Sequence, residues 1–313
     1  MAKVLVAQPI AEEGLRVLTD AGHEAVRPAD ASVASLRTAA ADVDAILVRN
    51  ARLPREVIEA APRLKVISRH GAGLETIDIA AATERGVRVT YAPVANSLSV
   101  AEHVMAMVLA LAKNLRTLDA ATRTGGFEMR HTCLGIELAG RTLGIVGLGN
   151  VGRRLATMAS AGFEMRVLAC DPAVAADDCP AGPALVDLQR LLGESDFVSL
   201  NLPLNDETRG LIGRAELAAM KPTAYLVNCA RAGVVDEPAL LAALRDQRIA
   251  GVAIDVYESD PPPNDHPLFA LEDVLLTPHS AAHTREAMAR MAVHAAQGIV
   301  EVLAGREPTW PAN

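Results

Sequence analysis

The chain lacks a positive surplus: 30 Lys and Arg stand against 38 Asp and Glu, a net charge of −8 over 313 residues. A surface of that sign argues against non-specific binding to nucleic acid or to anionic membranes, both of which need a basic face. Cysteine is scarce as well. Cys133, Cys170, Cys179 and Cys229 form no CxxC pair and have no histidine at metal spacing, so neither a disulfide framework nor a metal site is expected. Long apolar runs are missing; the strongest, Val104 to Ala112, stops at Lys113, too short to cross a bilayer. Nor does the start read as a leader, because Met1-Ala2-Lys3 runs straight into the strand-like Val4-Leu5-Val6-Ala7. There is no tandem repeat and no low-complexity linker. By elimination, a cytoplasmic protein handling a small molecule is expected.

Core material, by contrast, is ample. Half the residues are apolar and 22% are charged, which excludes a disordered chain. At about 150 residues per domain the length favours two domains. Short apolar runs at Val4–Ala7, 45–48, 65–68 and 87–90 read as strands, and 12–21, 54–60 and 77–85 read as helices between them. Such alternation predicts a parallel sheet covered on both faces. Ser99 and Glu102 have capping-box spacing and predict a helix start there. Val100, Val104, Val108, Leu111 and Leu115 continue it, with Met105, Leu109 and Ala112 on a second apolar face. A helix apolar on two faces is expected between layers or against a partner subunit. Residues 122–141 read as irregular. A second alternating series follows, with strands at 142–147, 165–170, 196–200, 224–228, 251–256 and 274–277, and a last helix at 285–303. Each half reads as α/β, and each could be doubly wound.

Between the strand Leu143–Val146 and a helical pattern over 151–161 lies Gly147-Leu148-Gly149-Asn150-Val151-Gly152, a GxGxxG. The next strand ends at Asp171, 24 positions after Gly147, where a carboxylate can accept hydrogen bonds from an adenosine ribose. Gly147 permits the tight turn, Gly149 lets backbone approach a pyrophosphate, and Gly152 lets helix and strand pack closely. The helix N-terminus adds amides and partial positive charge. Strand, glycines, helix and Asp171 together point to a bound dinucleotide. Asp171 would oppose a 2′-phosphate, so NAD is expected over NADP.

Three further segments place titratable residues just after strands, where ligands of open α/β sheets bind: Asn228-Cys229-Ala230-Arg231-Ala232-Gly233-Val234-Val235-Asp236, Asp255-Val256-Tyr257-Glu258-Ser259-Asp260-Pro261, and Thr277-Pro278-His279-Ser280-Ala281-Ala282-His283-Thr284. With the glycine loop, Arg69-His70-Gly71-Ala72-Gly73 and the stretch Asn96 to His103, they resemble the D-isomer-specific 2-hydroxyacid dehydrogenase family over essentially the whole chain.

The resemblance implies a Rossmann NAD-binding domain (98–283) inserted into a flavodoxin-like substrate domain (1–97 and 284–313), with an active cleft between them. It also implies a homodimer joined around the helix near Ser99. Carried over by position, Arg231 orients the substrate, His279 is the acid/base and Asp260 is its carboxylate partner. Relatives usually place Glu at 260, one carbon longer, and Asp260 is expected still to serve. The cofactor would be met by Gly147, Gly149, Asn150, Val151, Gly152, Asp171, Leu202, Pro203, Thr208, Cys229, Ala230, Arg231, Asp255, His279 and Ala281, with Asp255 holding the nicotinamide amide. The substrate would be met by Arg49, Arg69, Ala72, Gly73, Asn96, Arg231 and His279. Cys229 reads as a wall residue, and His70, His103 and His283 as structural.

The implied reaction passes a hydride between NAD(H) and a small 2-keto or 2-hydroxy acid, phosphoglycerate dehydrogenase-like or hydroxypyruvate/glyoxylate reductase-like. The chemistry of the residues agrees. Histidine has the right proton affinity, a planar guanidinium holds a carboxylate in fixed orientation, and an adjacent carboxylate favours the charged imidazole. Two alternatives stand beside it: formate- or phosphite-type oxidation on the same scaffold, against which Asp260 counts because formate-type relatives have an amide there, and a nicotinamide-sensing binding protein like the family's corepressors.

Overall fold

Fully apolar runs such as Ala45–Val48, with all four residues buried, need cover on both faces, and parallel sheets flanked by helices provide it. In a computed structural model describing residues 1–175, 177, 179 and 182–313, the chain divides into two compact units. One is Met1–Ser97 with Ala282–Asn313, the other Leu98–Ala281. The first contains strands β1 (Lys3–Val6), β2 (Glu24–Val26), β3 (Ala45–Val48), β4 (Val66–Arg69) and β5 (Arg88–Thr90), alternating with helices α1 (Glu12–Asp20), α2 (Val33–Ala40), α3 (Arg55–Glu59) and α4 (Ile79–Glu84). Then come α5 (Ser97–Ala112), α6 (Leu115–Arg123), β6 (Thr142–Val146), α7 (Asn150–Thr157), β7 (Arg166–Cys170), β8 (Ala184–Leu185), α8 (Leu188–Glu194) and β9 (Phe197–Leu200). The chain continues through α9 (Arg214–Ala219), β10 (Tyr225–Asn228), α10 (Glu237–Arg245), β11 (Gly251–Ile254) and β12 (Val274–Leu276) to α11 (Arg285–Leu303).

The first unit is one parallel sheet in the order β2-β1-β3-β4-β5, the flavodoxin-like winding. Its strands alternate faces. Val4, Val6, Leu47 and Val66 pack with Leu18 of α1 and with Ala295, Ala296 and Ile299 of α11, while Leu5, Ile46, Val48 and Ile67 pack with Leu36, Val57 and Ala81 of α2, α3 and α4. Thr284 caps α11 by accepting from Ala287 N at 3.1 Å.

In the second unit seven parallel strands run in the order β12-β11-β10-β9-β6-β7-β8. Direction of winding reverses at β6, whose neighbours are β7 and β9, so the crevice at the carboxyl ends of β6 and β9 is the topological switch point. One face of this sheet is covered by α5, whose Ala101, Val104, Met105, Met107, Val108 and Ala112 share a core with Leu143, Ile145, Leu155 and Phe197. Among the described residues no single helix is long and apolar enough to cross a membrane.

Several expectations are corrected. The helix expected to start at Ser99 starts at Ser97, because Ser97 N already donates to Val94 O across the preceding turn. Ser99 therefore lies within the helix, and its capping box is replaced by the turn. The supposedly irregular stretch 122–141 holds the end of α6 and a 3-10 turn at Phe127–His131. The helix expected over 151–161 is α-helical to Thr157 and then widens into a π turn, Met158–Gly162.

Candidate active site

Tight β–α connection at the switch point dictates the glycines. Gly147 has φ +94°, and a Cβ there would lie 2.5 Å from Asn201 O, the residue following β9. At Gly152 a Cβ would meet Gly147 O at 2.2 Å. Gly149, the N-cap of α7, is different: a Cβ would meet nothing within 4 Å. The protein's own packing does not need that glycine. The open space above it lies at a helix N-terminus, as a pyrophosphate requires.

Asp171 follows β7 and turns back to this loop. Its Oδ2 accepts from Leu148 N at 2.8 Å and its Oδ1 from Ala173 N at 2.9 Å. The carboxylate is thus fixed beside the glycine turn, where a ribose hydroxyl can reach it. After β9, Thr208 Oγ1 donates to Pro203 O at 2.6 Å, closing the short loop that carries Leu202 and Pro203. These groups fit a dinucleotide.

The carboxyl ends of β10, β11 and β12 carry the other candidates. Asn228, 1% exposed, ends β10. Its side chain accepts from Ala230 N at 3.1 Å and donates to Arg231 O at 3.0 Å, shaping the turn that presents Arg231. Arg231 Nη1 donates to Ala230 O at 2.7 Å, which restricts the guanidinium. Cys229 faces Met107, sulfur to sulfur 3.5 Å; burial, helped by Asp255, pushes its thiol far above the ordinary range. It stays protonated and is no nucleophile.

Asp255 follows β11 and is fully enclosed. Its Oδ1 accepts from Thr277 Oγ1 at 2.6 Å and Ser280 N at 2.8 Å, and its Oδ2 from Ala281 N at 3.0 Å. His103 Nε2 lies 3.1 Å from Thr277 Oγ1. These bonds clamp the backbone on both sides of His279, which sits at φ +53°. A non-glycine residue held there costs about 1–3 kcal/mol, and the clamp offsets that strain. The His279 ring joins the Asp260 carboxylate, Nδ1 to Oδ2. The shorter acid therefore reaches, and Nε2 is the ring nitrogen left outside this pair. Neither Asn228 nor Thr277 stands out in the sequence as a functional residue. Both were findable as polar residues at the ends of apolar strands.

In the first unit, Arg69 ends β4 and folds over its own loop, with Nε donating to Gly73 O at 2.7 Å and Nη1 to His70 O at 2.9 Å. That bonding shapes the turn holding Ala72 and Gly73. Arg49 follows β3, half-buried, and Asn96 precedes α5, half-buried. At this sheet's own switch point, Gln8 Oε1 accepts from Asn50 N at 2.6 Å and Ala51 N at 2.8 Å, steadying the backbone beside Arg49.

His70 is 3% exposed and its Nε2 has no hydrogen-bond partner among the described residues. Burial foremost, then Arg49 and Arg69, push its pKa down to about 4 from an ordinary 6.5. Between those values the unfolded chain binds a proton that the folded chain excludes, so stability rises with pH across that window and is flat above it. The shift corresponds to about 3 kcal/mol lost between pH 6.5 and 4. His70→Asn is expected to flatten that slope in urea titrations at successive pH values. An unchanged slope would show that the ring is hydrated in the native state.

Residues 105–281 match the family model for the D-isomer specific 2-hydroxyacid dehydrogenase, NAD binding domain. A D-3-phosphoglycerate dehydrogenase of Archaeoglobus fulgidus is 42% identical over 305 residues, 97% of this chain and 58% of its own length. The chain thus spans little more than half of the curated relatives it matches. Among solved structures, the TT0316 protein from Thermus thermophilus superposes with a TM-score of 0.91 at 35% identity, covering 99% of this chain and all of that one. A D-lactate dehydrogenase from Aquifex aeolicus, complexed with NAD and lactic acid, gives 0.85 at 27% identity over 97% and 96% of the two chains. With the glycine loop, Asp171 and the strand-end residues in place, the chain belongs to the D-isomer specific 2-hydroxyacid dehydrogenase family.

Proposed function

We propose that the chain is an NAD-dependent oxidoreductase that interconverts a small 2-keto acid and its 2-hydroxy acid. One observation carries this reading: His279 joined to Asp260 at the carboxyl edge of the sheet whose switch point bears the glycine loop. When bound, the nicotinamide supplies or takes the hydride. Arg231 holds the substrate carboxylate and orients the carbonyl. His279 Nε2 gives its proton to the carbonyl oxygen, and Asp260 supports the charged ring through Nδ1. In the reverse direction the same nitrogen removes the hydroxyl proton. Asp255, enclosed and bonded through both oxygens, keeps the backbone of that histidine in place, which replaces the nicotinamide contact expected of it.

The substrate we infer has a second polar or anionic end, as in phosphohydroxypyruvate or hydroxypyruvate. Arg49 makes no ion pair among the described residues, and relatives at about 40% identity are named D-3-phosphoglycerate dehydrogenases. NADH oxidation against glyoxylate, pyruvate, hydroxypyruvate, phosphohydroxypyruvate and bulkier keto acids tests both statements. Turnover of none would leave the corepressor-like alternative. Arg49→Ala is expected to raise the KM of the preferred acid about tenfold or more, the value of one charge-assisted hydrogen bond. A KM unchanged in both Arg49→Ala and Arg69→Ala would remove the anionic end from the proposal.

Cofactor choice follows from Asp171. A 2′-phosphate about 4 Å from that fixed carboxylate would be repelled by roughly 4 kcal/mol at an effective dielectric of 20, before screening by water. Catalytic efficiency with NADH is expected to exceed that with NADPH about a hundredfold, and Asp171→Ala is expected to narrow the gap. Equal efficiencies in the wild type would refute it.

The proposal extends to a cytoplasmic homodimer. Support comes from four free thiols and from α6 and the segment after it. α6 has no buried residue, and Leu115, Phe127 and Leu134 are 53%, 59% and 73% exposed. A second copy would cover them.

A further inference from the structure

Asp260 reaches His279 from a loop with little support of its own. Residues 258–265 are exposed apart from half-buried Pro262, so the position of the carboxylate must be set at the two ends of the loop. At the first end, Tyr257 donates its hydroxyl to Thr277 O at 3.0 Å, two residues before His279. At the second stands His266, only 8% exposed. Its Nδ1 accepts from Leu268 N at 3.3 Å, capping the 3-10 turn Pro267–Ala270. Its Nε2 lies 3.4 Å from Glu237 Oε2 in the first turn of α10. The ring meets Tyr257 edge-on at 6.1 Å between centroids and Phe269 at 5.4 Å. Leu268, next to this cap, is buried in the core beside Leu240 and Ile254.

One buried imidazole therefore touches both ends of the loop and ties them to α10. A leucine or phenylalanine would fill the same space, yet neither would accept from Leu268 N or face Glu237. An Nδ1 that accepts requires the proton on Nε2, which then points at the carboxylate.

We propose that His266 is a positioning residue for the reacting pair: it fixes the loop on which Asp260 meets the His279 ring. The proposal rests on the roles given above to His279 and Asp260. His266 lies outside that pair and touches no group assigned to substrate or cofactor.

The test compares wild type, His266→Phe, Asp260→Asn and the double variant, each as the full chain. Keto-acid reduction is followed with NADH, and the imidazole Nδ1–H of His279 is followed by its low-field proton NMR signal, which needs no turnover. His266→Phe keeps the ring packing and loses both nitrogens. It is expected to lower kcat about tenfold to a hundredfold, as a misplacement of about 1 Å does, with the Kd of NADH unchanged. The low-field signal is expected to vanish in His266→Phe as in Asp260→Asn. In the double variant the loss should be no greater than in Asp260→Asn alone, because both act through one contact. Should His266→Phe fail to fold, His266→Asn, which keeps an acceptor for Leu268 N, and Glu237→Gln are expected to give smaller losses in the same two readouts. Losses that multiply in the double variant, or a signal that survives in the His266 and Glu237 variants while Asp260→Asn abolishes it, would overturn the role of His266 alone. A signal and a kcat that both survive Asp260→Asn would instead overturn the pairing of Asp260 with His279, and the brace with it.

Discussion

His279→Asn is expected to lower kcat/KM for keto-acid reduction by about 10²–10⁴-fold, the range general acid–base groups contribute, with the Kd of NADH changed less than about twofold. Asn fills the space of the near half of the ring and keeps a group near Asp260. What it lacks is a proton that leaves at neutral pH. The left-handed backbone at this position does not disfavour the substitution, since Asn tolerates positive φ better than most residues, so the loss would reflect proton transfer and not folding. Steady-state rates with the preferred keto acid and fluorescence titration of NADH check the two halves separately. A kcat/KM within about fivefold of wild type would mean that the proton comes from another group.

Arg231→Lys is the second large effect, expected at about 10²-fold in kcat/KM. The charge is retained, so a role limited to attraction predicts almost no change. The turn built by Asn228 and the bond from Arg231 Nη1 to Ala230 O hold one edge of the guanidinium and so fix its plane. A planar fork can grip a carboxylate with two parallel bonds; an ammonium makes one, with freer geometry. One lost charge-assisted bond is worth about 1.5–3 kcal/mol, which is the hundredfold expected. Arg231→Ala should be weaker still and should recover part of its rate when guanidinium is added. Equal rates for Arg231→Lys and wild type would reduce Arg231 to a point charge.

Much of this was written in local spacing. The glycine loop was legible because Gly147 and Gly152 are demanded by contacts within one β–α turn, and Asp171 because it ends the adjacent strand. Arg231 and His279 each follow an apolar run within three residues, so their place at a sheet edge is written in the spacing, whereas Asp260 lies six residues past β11 on a loop. The rest depends on distance in sequence. β2 pairs with β1 through three residues of which none is buried, and β8 has only two residues; neither leaves a pattern to read. The start of α5 was misplaced because Ser99 with Glu102 has the spacing of a cap, and only the turn before Ser97 decides. Asp255 was assigned from the resemblance to the nicotinamide, whereas its bonds to Ser280 N and Ala281 N, 25 and 26 residues away, appear only when β11 and β12 lie side by side. His266 gave no signal, since its partners are Glu237 and a turn that no periodicity marks.

The closing of the first sheet by α11 has a consequence for how the chain comes off the ribosome. Val4, Val6, Leu47 and Val66 form an apolar surface whose cover includes Ala295, Ala296 and Ile299. These residues are synthesised roughly 200 positions after residue 97, with the whole second unit in between. At about 5–20 residues per second the wait is on the order of 10–40 s. During it, the earlier sheet has on that face only the cover of α1, through Leu18. The first unit begun is therefore the last one finished, and its half-covered strands are where nascent-chain chaperones would hold on.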